Sequence, residues 1–200
     1  MNTNTLILIV FSYLIGSISS AILISQYKNS PDPRSYGSKN PGATNILRKL
    51  GKKTATIVVI FDILKGIIPI WIGSVFLKIN SLETEILALS TYIGHIYPIF
   101  FNFRGGKGVA TAFGSLSIIS IDIAGIMITT WISSILISGY VSLGTIITSF
   151  ITPIYICCMH PQFTALSIIL SLLILIRHYD NIMRLYQGQE IKIWHSKIKQ

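Results

Sequence analysis

Across residues 109–177 the chain carries a single carboxylate, Asp122, and no lysine or arginine until Arg177 itself. No soluble domain buries an apolar stretch of that length as one piece, whereas a hydrocarbon core about 30 Å thick takes it in segments of about 17 to 25 residues. The rest of the chain agrees. Hydrophobic residues make up 51% of its 200 residues, charged ones only 12%, and the mean hydropathy is +0.65. That composition excludes a water-soluble domain, and it excludes a disordered chain, which needs low hydrophobicity and abundant charge.

The expected architecture is an all-α integral membrane protein, a bundle of seven transmembrane helices forming one domain over residues 1–200. Residues 5–25 and 54–77 are long enough to span, and 85–101 makes a shorter third span. The long apolar stretch divides at Asp122, Gly139-Tyr140 and His160-Pro161. Its first piece, 109–121, is short at its apolar core and would tilt or start below the interface. Residues 1–5 hold no basic region ahead of the first apolar stretch, so that stretch reads as a retained span and not a signal peptide.

Charge then orients the bundle. The net charge is +9, from 16 Lys+Arg against 7 Asp+Glu. With seven spans and the N-terminus outside, Lys28, Arg34, Lys39, Arg48, Lys49, Lys52, Lys53, Arg104, Lys107, Arg177, Arg184, Lys192, Lys197 and Lys199 all fall inside. Lys78 alone falls outside, and Lys65 lies within the second span. This arrangement obeys the positive-inside rule, whereas six spans would send the basic C-terminal tail to the wrong face. No basic helix or interleaved aromatic stripe stands outside the apolar segments, so nucleic acid is not an expected partner. The adjacent Cys157 and Cys158 cannot pair without strain and lack companion metal ligands, and read as buried space-fillers. Gly16, with Ser12 and Ser20 at helical spacing, reads as a close-packing face.

Three polar stretches lie on the inner face, and three loops on one face can build one pocket. The first, 32–48, is dense in glycines, hydroxyls, amides and cations, which suits either a bound phosphate or a solvated loop held to anionic lipid. In the second, Arg104-Gly105-Gly106-Lys107-Gly108-Val109-Ala110-Thr111, a glycine-flanked lysine precedes a membrane helix, whose first N–H groups and positive dipole end favour an anion. Its spacing is not that of a Walker A loop, so a nucleoside triphosphate is not implied. The third, 177–190, follows the last span directly. If it is helical, His178 and Asn181 share a face with Leu185 and lie near Arg184. A histidine there is either a ligand or an interfacial side chain. Within the second span, Asp62 and Lys65 stand one turn apart, and either support the pocket or simply pair with each other.

Together these strings resemble one family. Gly37-Ser38-Lys39-Asn40-Pro41-Gly42-Ala43-Thr44-Asn45-Ile46-Leu47-Arg48, Gly105-Gly106-Lys107-Gly108-Val109-Ala110-Thr111 and Arg177-His178-Tyr179-Asp180-Asn181-Ile182-Met183-Arg184-Leu185 are similar to the three motifs of the bacterial acyl-phosphate-dependent glycerol-3-phosphate acyltransferases of the PlsY type. Tyr13-Leu14-Ile15-Gly16-Ser17 and Asp62-Ile63-Leu64-Lys65-Gly66 match in the same order. One departure is Ile18-Ser19, where the family pattern suggests Ile-Pro. Tyr179 and Asp180 are unusual neighbours for His178, and Asp180 is a candidate to tune it.

The resemblance implies transfer of a fatty acyl group from acyl phosphate to the 1-hydroxyl of sn-glycerol 3-phosphate, giving lysophosphatidate and phosphate, the first acylation of phospholipid biosynthesis. It implies a bacterial cytoplasmic membrane location with a cytoplasmic active site, no cofactor or metal, and coupling to the enzyme that forms the acyl phosphate. By motif position Ser38, Lys107, His178 and Asn181 are the expected catalytic residues. Arg48, Asn40, Gly42, Thr44, Asn45, Gly105, Gly106, Gly108 and Arg177 are expected to bind substrate, with Asp62 and Lys65 behind them. The His-x4-Asp motif of thioester-dependent acyltransferases is missing, since Phe100, Ala165, Met183 and Gln200 stand five positions after the four histidines. The competing class is a membrane transporter of a phosphorylated anion, against which the later spans show no polar chain crossing the membrane and no paired broken helices.

Overall fold

The structure, a computed structural model, describes residues 2–195, so the Lys197 and Lys199 of the expected inner tail lie outside the described residues. Among the described residues every regular element is helical, and the chain forms two compact units, 1–118 and 119–200. Among the described residues three helical stretches are long and apolar enough to cross a membrane, Ala43–Leu77, Ile121–Ser138 and Val141–Met159, and two bent helix pairs bring the number to five if each pair is one span.

In the first unit, α1 (Thr3–Gly16) starts at Asn2, whose Oδ1 accepts the Thr5 N–H at 2.8 Å. The expected first span is broken at residues 17–19, and α2 (Ser20–Tyr27) leaves at 45° to α1. The second span also differs from its sequence reading. Helix α3 runs Ala43–Ile72, so Thr44, Asn45 and Arg48 lie on helical turns and not in a loop. Gly51, at φ 79°, divides a short leading segment from the apolar body, a conformation open to glycine because it lacks a Cβ. The apolar side of that segment, Ile46 with Leu47 and Leu50, packs on Ala21, Ala55 and Val58, which is why it folds as a helix beside the span.

Helix α4 (Ser81–Ile96) opens with a capping box between Asn80 and Glu83 and closes one residue before Tyr97-Pro98, because the residue preceding a proline avoids the helical region. The expected third span, 85–101, is therefore shifted toward the N-terminus. Helix α5 (Val109–Ser117) is shorter again than its expected span. Two glycine pairs bring these helices together. A Cβ on Gly16 would strike the Thr91 carbonyl and one on Gly94 the Tyr13 carbonyl, so α1 and α4 touch backbone to backbone. Gly66 and Gly114 do the same for α3 and α5, against the carbonyls of Thr111 and Ile63. The packing role read for Gly16 holds, and Ser12 bonds its own helix at the Leu8 carbonyl, 2.6 Å away. Ser20 does something else, described below.

In the second unit, α6 (Ile121–Ser138), α7 (Val141–Met159), α8 (Thr164–Arg177) and α9 (Tyr179–Tyr186) follow one another, with breaks beside Asp122, at Gly139-Tyr140 and at His160-Pro161. Asp122 accepts from Tyr155 Oη at 2.8 Å, lies 2.7 Å from His160 Nε2 and accepts from Ser120, joining the start of α6 to the end of α7. The inward stripe of α7 is Ser142, Thr145, Thr148, Ser149, Thr152 and Ile156. Thr148 and Ser149 return their hydroxyls to carbonyls four residues earlier, at 2.8 and 2.9 Å, which satisfies them without a partner helix. Cys157 and Cys158 fall off this stripe. Both are exposed free thiols, which corrects their reading as buried fillers.

Candidate functional site

The first motif is shaped by Asn45, which is 1% exposed. Its Nδ2 donates to the carbonyls of Pro33 (2.8 Å) and Tyr36 (3.1 Å), and its Oδ1 accepts the Ser38 N–H at 3.2 Å. Gly37 takes φ 57° against that same Oδ1, where a Cβ has no room. Asn45 thus spends its amide on the loop, and Ser38 and Lys39 are held out exposed at the tip. Pro41 is buried, Asn40, Gly42 and Arg48 are half-buried, and Thr44 is exposed. Burial pushes the Tyr36 phenol up, and the Lys49 ammonium lies 5.1 Å from the centre of its ring.

Upstream, Arg34 grips Asp32 with Nε at 3.1 Å from both oxygens and Nη2 at 2.7 Å, while its Nη1 donates to the Phe101 carbonyl at 2.8 Å. The Arg34 hydrogen bonds hold the Asp32 carboxyl below the usual carboxylate range. Since Phe101 leads into the second motif, this arginine ties the first loop to the second. A polar depression of about 540 Å³, lined by Asp32, Arg34, Ser35, Asn102 and Arg104, opens at that junction.

The second motif is pinned to the end of α4. Gly105 donates its N–H to the Ile96 carbonyl and Gly106 to the His95 carbonyl, both at 3.2 Å, and Tyr92 Oη donates to the Lys107 carbonyl at 3.0 Å. A Cβ at Gly105 would strike the His95 carbonyl, and one at Gly106 the His95 ring, so the close approach requires both glycines. Gly108, at φ 78°, is the N-cap of α5 and places half-buried Lys107 at the positive end of that helix.

Behind this turn sits the charged pair read from the second span. Lys65 Nζ lies 3.0 Å from Asp62 Oδ1, and both side chains are buried. Lys65 also donates to the Ile18 carbonyl at 3.1 Å, at the break between α1 and α2. Ser20 donates to Asp62 at 2.9 Å, and His95 Nδ1 lies 3.9 Å from the same carboxylate. Breaking the first span therefore leaves a carbonyl that a buried cation uses. The pair links three helices, and through His95 it touches the residue on which Gly106 rests.

In the second unit the third motif is a joint. His178 is buried between α8 and α9, which meet at 59°, and its Nδ1 faces the Ile174 carbonyl at 2.8 Å. That contact requires a proton on Nδ1 and leaves the basicity of a neutral ring on Nε2. Asp180, read as a tuner of the histidine, is exposed, and the carbonyl takes the Nδ1 side in its place. Arg177 is half-buried and Asn181 buried. Asn181 Nδ2 donates to Glu190 Oε1 at 2.7 Å, Arg184 Nε to Oε2 at 2.8 Å, and Ser142 Oγ to Oε1 at 2.9 Å. Burial raises the Glu190 pKa, but the hydrogen bonds from Arg184, Asn181 and Ser142, with the Arg184 charge, outweigh it and leave the value lowered.

Sequence reasoning missed Glu190, Tyr92 and the Asp32–Arg34 latch. Glu190 closed the third string, and a carboxylate a few residues beyond an asparagine and an arginine was the available signal. Tyr92 gave none, being one more aromatic in an apolar helix.

An apolar chain whose described elements are all helical, with a buried charged pair held between helices, belongs to the class of integral membrane proteins. The comparisons with known proteins narrow this. A family model described as glycerol-3-phosphate acyltransferase matches residues 6–188. Relatives named glycerol-3-phosphate acyltransferase include one from Proteus mirabilis (strain HI4320), 51% identical over 98% of this chain and 89% of the relative. Another, from Sodalis glossinidius (strain morsitans), is 51% identical over 100% and 95%. Among solved structures, crystal structures of PlsY (YgiH), an integral membrane glycerol 3-phosphate acyltransferase, are similar in two forms. The glycerol 3-phosphate form has a TM-score of 0.89 at 37% identity, covering 95% of this chain and 96% of the other. The lysophosphatidic acid form has a TM-score of 0.87 at 36% identity, covering 94% and 95%. The chain belongs to the glycerol-3-phosphate acyltransferase family.

Proposed function

We propose that this chain transfers a fatty acyl group from acyl phosphate to the 1-hydroxyl of sn-glycerol 3-phosphate, releasing lysophosphatidate and inorganic phosphate. The observation that carries the reading is the Gly105-Gly106-Lys107-Gly108 turn, which presents a cation at the start of α5 with its backbone locked to α4. The similarity to PlsY in a glycerol 3-phosphate form and a lysophosphatidic acid form supports the same acceptor and product here.

The donor is a mixed anhydride whose phosphate leaves readily, so the step needs no covalent enzyme intermediate. The glycerol hydroxyl oxygen bonds to the acyl carbon, the bond from that carbon to the phosphate oxygen breaks, and the hydroxyl proton passes to a base. His178 Nε2 or a phosphate oxygen of the donor receives it. Lys107, Arg48 and the N–H of Gly108 offset negative charge on the departing phosphate and the tetrahedral oxyanion. Ser38 and Asn181 orient the acceptor. Arg177, Asn40, Gly42, Thr44, Asn45 and Gly105 bind substrate directly or shape the loops that do, and Asp62 with Lys65 braces the second loop.

Seven membrane segments, with the N-terminus outside and residues 26–53 and 102–108 on the cytoplasmic side of a bacterial inner membrane, complete the proposal. Residues 1–200 are taken in this proposal as a single acyltransferase domain, and the hydrolysis-prone donor favours functional coupling to the enzyme that forms it.

Purified protein given acyl phosphate and glycerol 3-phosphate should release phosphate and lysophosphatidate in equal amounts. Glycerol 3-phosphate flux into vesicles without that product would replace the enzyme reading with transport. In intact cells, and with Cys157 and Cys158 replaced by serine, Lys78→Cys should react with an impermeant maleimide and Lys53→Cys should not, and the opposite result would invert the orientation.

A further inference from the structure

We propose that Tyr92 is a positioning residue for the phosphoryl group that the Lys107 turn receives, an inference that rests on the acyltransferase reading. Tyr92 has no exposed surface, and a buried phenol needs a hydrogen-bond partner that a phenylalanine of nearly the same shape would not. Its hydroxyl spends that bond on the Lys107 carbonyl, 3.0 Å away. The C=O of one residue and the N–H of the next point in opposite directions across a trans peptide. Holding the Lys107 carbonyl against α4 therefore turns the Gly108 N–H away from α4, to the side where an anion would meet it together with the first N–H groups of α5.

The ring itself occupies the place a Cβ on Gly108 would need, while Gly108 adopts φ 78°. Tyr92 thus sets both the direction and the backbone form of the peptide that follows the lysine. Two neighbouring attachments, His95 carbonyl to Gly106 and Ile96 carbonyl to Gly105, come from the backbone at the end of α4, which many side chains could supply. Tyr92 contributes its bond from a side chain, so it can be removed without disturbing the others.

The test is Tyr92→Phe in the full chain, purified in detergent, with kcat and KM measured for glycerol 3-phosphate and acyl phosphate and with inorganic phosphate as the inhibitor. Losing one hydrogen bond that orients the turn should raise KM for one phosphorylated substrate and weaken phosphate inhibition in parallel, each about three- to tenfold. The kcat value should change less than about twofold, and the substrate whose KM moves is the one whose phosphoryl group sits on the turn. Gly108→Ala, which pushes the ring aside, should reproduce the KM change, and the double variant should show less than the product of the two effects. Unchanged KM and inhibition in Tyr92→Phe overturn the proposal, and so does a fall in the melting temperature with no change in KM. A wild-type protein that forms no lysophosphatidate overturns the acyltransferase reading instead.

Discussion

The Lys65 ammonium lies 3.0 Å from the Asp62 carboxylate one turn earlier on α3, with both groups buried and a second bond running from the lysine to the Ile18 carbonyl. A buried charge loses its hydration, so each member of such a pair is tolerable only while the other is present. Asp62→Ala or Lys65→Ala alone should destabilise the protein by about 3–5 kcal/mol, because each strands an uncompensated charge. The double substitution Asp62→Leu with Lys65→Met should come closer to wild-type thermal stability than either single change. Detergent-solubilised thermal unfolding checks this. A double variant worse than both singles would show that the bonds to Ser20 and Ile18 matter more than the pairing.

In the proposed acyl transfer, His178 is the residue that would separate binding from chemistry. With Nδ1 committed to the Ile174 carbonyl, Nε2 is the nitrogen able to take a proton. His178→Ala should lower kcat by about a hundredfold or more, in the range expected for a general base, while glycerol 3-phosphate binding measured by calorimetry changes little. Parallel loss of both would make it a binding residue, with the donor phosphate taking the proton.

Glu190 gives the third motif a definite pH response. Its folded pKa is lowered, so it contributes stability that is present above the unfolded carboxylate value of about 4.3 and is lost as pH falls through the folded value. Glu190→Gln removes that dependence and weakens the bond from Arg184. Melting temperatures of wild type and variant should therefore differ most near neutral pH and converge on acidification. A constant difference across that range would show that Glu190 acts through packing alone.

Gly94 tests the backbone contact between α1 and α4. A methyl group there meets the Tyr13 carbonyl, and backbone cannot swing aside as a side chain can. Gly94→Ala should lower the melting temperature measurably, whereas Gly125→Ala on α6, where a Cβ meets open space, should leave it unchanged or raise it slightly. Equal effects would mean that α1 and α4 can separate without cost.

Helix breaks beside Asp122, at Gly139-Tyr140 and at His160-Pro161 were legible in the sequence, because each interrupts an apolar run with residues that end helices or prefer an interface. The pairing of Asp62 with Lys65 was legible too, since one helical turn separates them and hydrocarbon tolerates neither alone. The extension of α3 back to Ala43 was not. Its leading segment is polar on one side and becomes helical by packing Ile46 on Ala21 and Val58, a contact between residues far apart in the chain. The exposure of Cys157 and Cys158 was hidden for the same kind of reason. In a helix that is apolar almost all round, hydropathy does not say which side turns inward, and here the inward side is a stripe of serines and threonines.

Hydropathy and charge asymmetry were sufficient by themselves to determine a helical membrane protein, and three short strings its resemblance to a glycerol-3-phosphate acyltransferase, because solvent preference and motif spacing are local properties of the chain. The tertiary structure alone decided that Tyr92 and His95 hold the lysine turn, that a break in the first span supplies a carbonyl to Lys65, and that Glu190 gathers Asn181, Arg184 and Ser142. Those are hydrogen bonds between groups brought together by helix packing, and their partners cannot be chosen until the backbone positions that glycine contacts permit are set.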